Sequence, residues 1–163
     1  MLLKHNVDVN FRNNSGRTPL HLASRGGYRD IVQFLLDHNV DVDVGDNCGN
    51  TPLSLAVFGG RLEISRILLE HNAEANSRND YGSTPLLLAS QGGHQDIVQL
   101  LLDHNADAHV RDNGGENSLS WAVYSSHLEV ARILLERNVD ANSRDDHGLT
   151  PFSLHRSVDS LMS

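Results

Sequence analysis

Much of what disulfide-stapled, membrane-spanning and nucleic-acid-binding proteins depend on is missing from this chain of 163 residues. It has one cysteine, Cys48, which cannot form an internal disulfide. No stretch approaches the ~20 consecutive apolar residues of a membrane span, and the N-terminal region has no signal-peptide apolar core. Lys and Arg number 13 against 21 Asp and Glu, a formal charge of −8, so the clustered cations that release counterions from a phosphate backbone are lacking. These absences predict an intracellular protein, cytoplasmic with the nucleus left open, that engages neither membrane nor nucleic acid. Aromatic residues are only 5% of the chain, so a core drawn from its 39% hydrophobic residues must be Leu, Val, Ile and Ala. Histidine alone is plentiful, with 10 copies, and these are not scattered.

What the chain does have is a period. Gly16, Gly49, Gly82, Gly115 and Gly148 stand 33 residues apart. The same spacing carries Thr18-Pro19, Thr51-Pro52, Thr84-Pro85 and Thr150-Pro151, an alanine column (Ala23, Ala56, Ala89, Ala122) and a leucine pair (Leu35-Leu36, Leu68-Leu69, Leu101-Leu102, Leu134-Leu135). One unit shows the physics. Asp46-Asn47-Cys48-Gly49 is a turn cluster. Thr51 then N-caps a short helix with Pro52 at its first position, where a missing N–H costs nothing. Gly59-Gly60 breaks it, and Leu62, Ile64, Ile67 and Leu68 recur at helical spacing through a second helix ending near His71. Its stop is Asn72, with Asn39, Asn105 and Asn138 in the other units, the residue that best tolerates a left-handed C-cap after glycine.

The segment GNTPLSLAVFGGRLEISRILLEHNAEAN, residues 49–76, resembles the ankyrin repeat. Complete copies are expected at 13–45, 46–78, 79–111 and 112–144, with partial copies at 1–12 and 145–163, all in one domain over 1–163. The fold this implies is an all-α ankyrin-repeat solenoid of stacked helix-turn-helix units with β-hairpin-like turn tips. Only the first copy keeps the full Thr18-Pro19-Leu20-His21 motif, in which the family's histidine makes local hydrogen bonds. Copies also pair at 66 residues: over residues 20–40, copy one matches copy three at 15 of 21 positions and copy two at 10. Neither end shows a clear polar cap, which predicts a segment of a longer array, or a gene fragment, with frayed ends; strong hydrogen-exchange protection at residues 2–5 would contradict that.

No pattern of residues predicts catalysis. His5, His38, His71 and His104 form one column at the end of the second helix. Stacked helices lie roughly 8–10 Å apart, too far for column neighbours to share a metal with ligands about 2 Å away. A position at the helix C-terminus suits a partly protonated imidazole, and Arg137 there in copy four agrees. The resemblance gives His94 and His127 the usual family position after the second glycine; His109, His147 and His155 are too separated to suggest a site. Asp41-Val42-Asp43-Val44-Gly45-Asp46 fails as a calcium loop, since Gly45 sits where a ligand is needed and Pro52 where a glutamate is. Cys48 reads as an exposed, unactivated thiol. Expected, then, are no catalytic residues, no metal and no cofactor.

The resemblance implies that the concave face of turn tips and first helices binds a protein. Position by position, the candidate contacts are Arg17, Arg25, Asn50, Phe58, Tyr81, Ser83, Gln91, Glu116, Trp121 and Tyr124, with Asn14, Ser15, Asn47, Cys48, Asp80, Asn113 and Gly114 at the tips. Phe58, Tyr81 and Tyr124 carry the most weight, because aromatics dominate interface energetics. Copy four departs from the pattern with Asn117-Ser118 for Thr-Pro, Ser125-Ser126 for Gly-Gly, and Trp121 where the others have Leu22, Leu55 and Leu88. Drift explains this, and so does a specialised contact surface; either way copy four should be the least stable locally. Arg12, Arg78, Arg111 and Arg144 form a further column, read as balancing Asp80, Asp112 and Asp145 rather than meeting an acidic partner. The expected function is a monomeric, non-catalytic protein-protein interaction scaffold. The alternative is a structural spacer or regulatory array of a larger protein.

Overall fold

A computed structural model describes residues 8–140 together with Gly148 and Thr150. The expected partial copies at the two ends, with His5, Arg144, His147 and His155, lie wholly or largely outside the described residues. Eight helices follow one another in pairs: α1 (Pro19–Gly26) and α2 (Arg29–Leu36), α3 (Pro52–Phe58) and α4 (Leu62–Glu70), α5 (Pro85–Gly92) and α6 (Gln95–Asp103), α7 (Ser118–Tyr124) and α8 (Leu128–Glu136). Among the described residues there is no strand, and no helix is long and apolar enough to cross a membrane.

Three of the first helices, α3, α5 and α7, are capped at their starts by the side chains the sequence offers. Thr51 Oγ1 accepts the Ser54 N–H at 3.2 Å, Thr84 Oγ1 that of Leu87 at 3.4 Å, and Asn117 Oδ1 that of Ser120 at 2.8 Å. These bonds satisfy helix-start donors that have no partner within the helix. The second helices stop where Asn39, Asn72, Asn105 and Asn138 turn left-handed, with φ of 54°, 62°, 61° and 60°. The following N–H then reaches back over the end, as from Ala73 to the Leu68 carbonyl at 3.0 Å. Ser126 takes φ 61° where the equivalent Gly60 takes 66°, so copy four does hold a side chain in a glycine conformation.

The pairs stack in two layers, α1, α3, α5 and α7 in one and α2, α4, α6 and α8 in the other. Leu20, Leu53, Leu86 and Leu119 are buried in register along the first layer. The alanine column beside them leaves room for successive first helices to pack closely. Leu35, Leu68, Leu101 and Leu134 fill the space beneath the second layer. Each such leucine contributes about 1.5–3 kcal/mol of burial. First helices contact one another more intimately than second helices do.

Candidate functional site

The tips between helix pairs are small closed loops. In copy two, Asp46 N–H donates to the Asn50 carbonyl at 2.9 Å and Gly49 N–H to the Asp46 carbonyl at 2.9 Å, a hairpin-like closure repeated in all four copies. The side chain opening each loop, Asn13, Asp46, Asn79 or Asp112, accepts two backbone N–H groups from within it, so each tip is pinned from inside. Successive tips are tied by one backbone bond each: Asn47 to Ser15, Asp80 to Cys48 and Asn113 to Tyr81, all at 3.0 Å. Asn47 and Asn113 add a side-chain amide bond to the carbonyls of Asn14 and Asp80. Gly16 is required by this closeness, because a Cβ there would stand 2.8 Å from the Asn47 backbone nitrogen. Several exposed tip residues read from the sequence as contacts are therefore engaged in holding neighbouring tips together.

Below the tips, a polar chain runs across the copies. Arg17 Nε donates to Asp46 Oδ2 at 3.0 Å, and the Asp46 side chain is almost wholly buried. Burial alone raises its pKa, but the bonds from the Cys48 N–H and Arg17 outweigh that and hold it below the usual carboxylate range. Asn79 Nδ2 donates to Asn50 Oδ1 at 3.0 Å. His21, fully buried, accepts the Thr18 N–H on Nδ1 and donates from Nε2 to the Asn50 carbonyl at 3.0 Å, which fixes the neutral tautomer. Its burial lowers its pKa. The local role expected for His21 thus extends to a bond between copies one and two. At the other end, Trp121 Nε1 donates to Asp112 Oδ2 at 2.9 Å.

On this framework lies one groove of about 380 Å³, lined by Arg17, Arg25, Asn50, Phe58, Tyr81, Ser83, Gln91 and Trp121 among others. Glu116, Trp121 and Tyr124, with Ser120, line an adjoining pocket of about 170 Å³. All ten candidates from the sequence therefore fall in two adjoining recesses that share Trp121. Ser54, Leu55, Asn79, Leu88 and Asp112 also line the groove and were missed. The column reasoning that singled out Trp121 reaches Leu55 and Leu88, and the loop-opening column reaches Asn79 and Asp112.

Two kinds of apolar exposure must be separated. Ile31 is 50% exposed, but its column mates Ile64 and Ile97 are 2% exposed; Leu135 is 40% exposed against 7% for Leu69. These residues are uncovered because no described repeat stacks on their side. Phe58, Tyr81 and Tyr124, at 56%, 65% and 58%, stand at positions open in every copy, as Arg25 and Gln91 show for the two helix positions and Ser15, Cys48 and Gly114 for the tip. Their exposure belongs to the face itself.

Two column readings need correction. Arg12 and Arg78 do not balance neighbouring aspartates: Arg12 Nη2 donates to the Gly45 carbonyl and Arg78 Nη2 to that of Arg111 at 2.7 Å, each 33 residues ahead. A guanidinium is long enough to reach the next copy, where a backbone carbonyl offers a directed acceptor. Arg137 likewise leaves its own helix end for Asp103 of the preceding copy, at 3.0 Å. His38, His71 and His104 behave differently, each placing Nδ1 2.6–2.9 Å from the carbonyl four residues earlier in its own helix. Cys48 is exposed and free, as expected.

A family model described as ankyrin repeats (3 copies) matches residues 1–79 and again residues 71–145. The chain belongs to the ankyrin repeat family. No curated protein matches it. Ankyrin repeats generally mediate protein-protein interaction, and the groove of this ankyrin array combines exposed aromatic side chains with polar groups.

Proposed function

We propose that this ankyrin domain is a non-catalytic scaffold that holds a segment of a partner protein along the groove between Arg25 and Tyr124. The observation that carries the reading is the exposure of Phe58, Tyr81 and Tyr124 at positions that stacking never covers. Large aromatics left in water on a face braced by cross-copy hydrogen bonds gain from a partner that dehydrates them, with little ordering cost to this chain. On this reading the chain acts as a monomer and as one repeat domain over 1–163. Its complete copies span 13–45, 46–78, 79–111 and 112–144.

Affinity capture with mass spectrometry tests it. Replacing Phe58, Tyr81 and Tyr124 together by Ala should remove a specific partner captured by the parent chain and by the Arg66→Ala control on the opposite layer. All three rings are exposed, so the melting temperature should shift by no more than about 2–4 °C. Equal capture by the triple variant would overturn the proposal.

A further inference from the structure

The charged side chains that line the groove are Arg17, Arg25 and Asp112. Two of these are answered within the protein. Arg17 Nε donates to Asp46 Oδ2, and Asp112 accepts the backbone N–H groups of Gly114 and Glu116 and the indole N–H of Trp121. The Arg25 guanidinium has no hydrogen-bond or ion-pair partner among the described residues. Nor is it needed to finish its own helix. The last carbonyls of α1 already receive the Tyr28 N–H at Ala23, the Gly27 N–H at Ser24 and Arg61 Nε at Arg25 itself, all at 3.0–3.2 Å. Beside α1 lies α3, which presents Phe58, 56% exposed, at the position equivalent to Arg25.

We infer that Arg25 takes the side-chain carboxylate of an Asp or Glu in the bound protein segment, with an apolar side chain of the same segment against Phe58. The inference rests on the protein-binding role proposed above and adds its chemistry. A guanidinium offers a carboxylate two parallel N–H bonds, whereas a partner lysine or arginine in that place would be repelled. A phosphorylated residue would bring about two negative charges to a single free cation and leave one of them unanswered. The chain's distributed charge of −8 is screened beyond roughly 8 Å, so the nearest uncompensated group governs the contact. Neighbouring helices pack roughly 8–10 Å apart and an extended segment advances about 3.3 Å per residue, which sets the carboxylate and the apolar residue about three residues apart.

Selection of short random peptides from a displayed library on the whole chain tests this. The selected sequences should carry Asp or Glu about three residues from an aromatic or aliphatic residue. In the best peptide, replacing the acidic residue by its amide should weaken binding roughly three- to tenfold, and less at high salt. Arg25→Gln, which installs the residue found at position 91, should bind the acidic and amide peptides alike. Selection on Arg25→Glu should favour Lys or Arg at the same place, a reversal that a structural role for Arg25 would not produce. Circular dichroism should show both variants folded, since Arg25 is exposed. Selected peptides without an acidic preference, a preference that survives Arg25→Gln, or no selected peptide at all overturns the inference. If the acidic preference is absent while partner capture still depends on Phe58, Tyr81 and Tyr124, the Arg25 contact alone is wrong. If the preference is present and reverses but capture ignores those aromatics, the protein-binding role is wrong.

Discussion

Ser126 and His21 illustrate local strain and pH sensitivity. Ser126 occupies a left-handed conformation that its column mates reach as Gly27, Gly60 and Gly93. A side chain there costs about 1–2 kcal/mol, of which glycine's greater unfolded-state entropy returns about half. Ser126→Gly should therefore stabilise the protein by about 0.5–1 kcal/mol, read as a higher urea midpoint with an unchanged slope. His21 is the second. Burial lowers its folded-state pKa below the 6.5 of the unfolded chain, so above pH 6.5 it is neutral in both states and has no effect. As pH falls through 6.5 the unfolded chain takes up a proton that the folded chain refuses, and stability declines. The slope is about 1.4 kcal/mol per pH unit from this group until its lowered folded pKa is reached. His21→Ser, the residue of copies two and four at that position, should flatten the urea-midpoint profile between pH 7 and 5. A slope unchanged by the substitution would show that other groups set it.

Among the elements, the tips and the helix pairs differ in how plainly they are written in the chain. Helix starts and stops were legible because each is a local event: a Thr or Asn whose side chain caps the next turn, an Asn that accepts a left-handed backbone. The leucine and alanine columns placed the core for the same reason, since burial repeats with the period. Long side chains were not legible, because where a guanidinium ends depends on the neighbouring copy's backbone. Arg12, Arg78 and Arg137 all reach a different copy, and no spacing in the sequence announces it. The tip ladder yields its own prediction. Asn47 and Asn113 each donate a side-chain amide to the tip before them, but Asp80, between them in the column, has no proton to give. Asp80→Asn should restore the missing bond to the Asn47 carbonyl and raise stability by about 0.5–1.5 kcal/mol in denaturant unfolding.

At the scale of the whole molecule, a face assembled from equivalent positions in four copies explains why the candidate site was readable before the fold was seen. Once Arg25 and Phe58 are known to share a column, Gln91 and Tyr124 follow, and they meet in adjoining recesses because the first helices stack in register. What could not be read was the floor, the chain of Arg17, Asp46, Asn50 and Asn79 beneath the face, since two of its three bonds cross between copies. The separation of face aromatics from end residues also needed the structure, because both are simply apolar in the sequence. That separation supplies the most direct test of the central claim, hydroxyl-radical footprinting of the chain with and without its captured partner. Protection is predicted at Phe58, Tyr81, Trp121 and Tyr124, with the exposed Tyr28 and Phe34 at the copy-one end as reactive as in the free chain. Protection of Tyr28 and Phe34 with the groove aromatics left reactive would contradict the account.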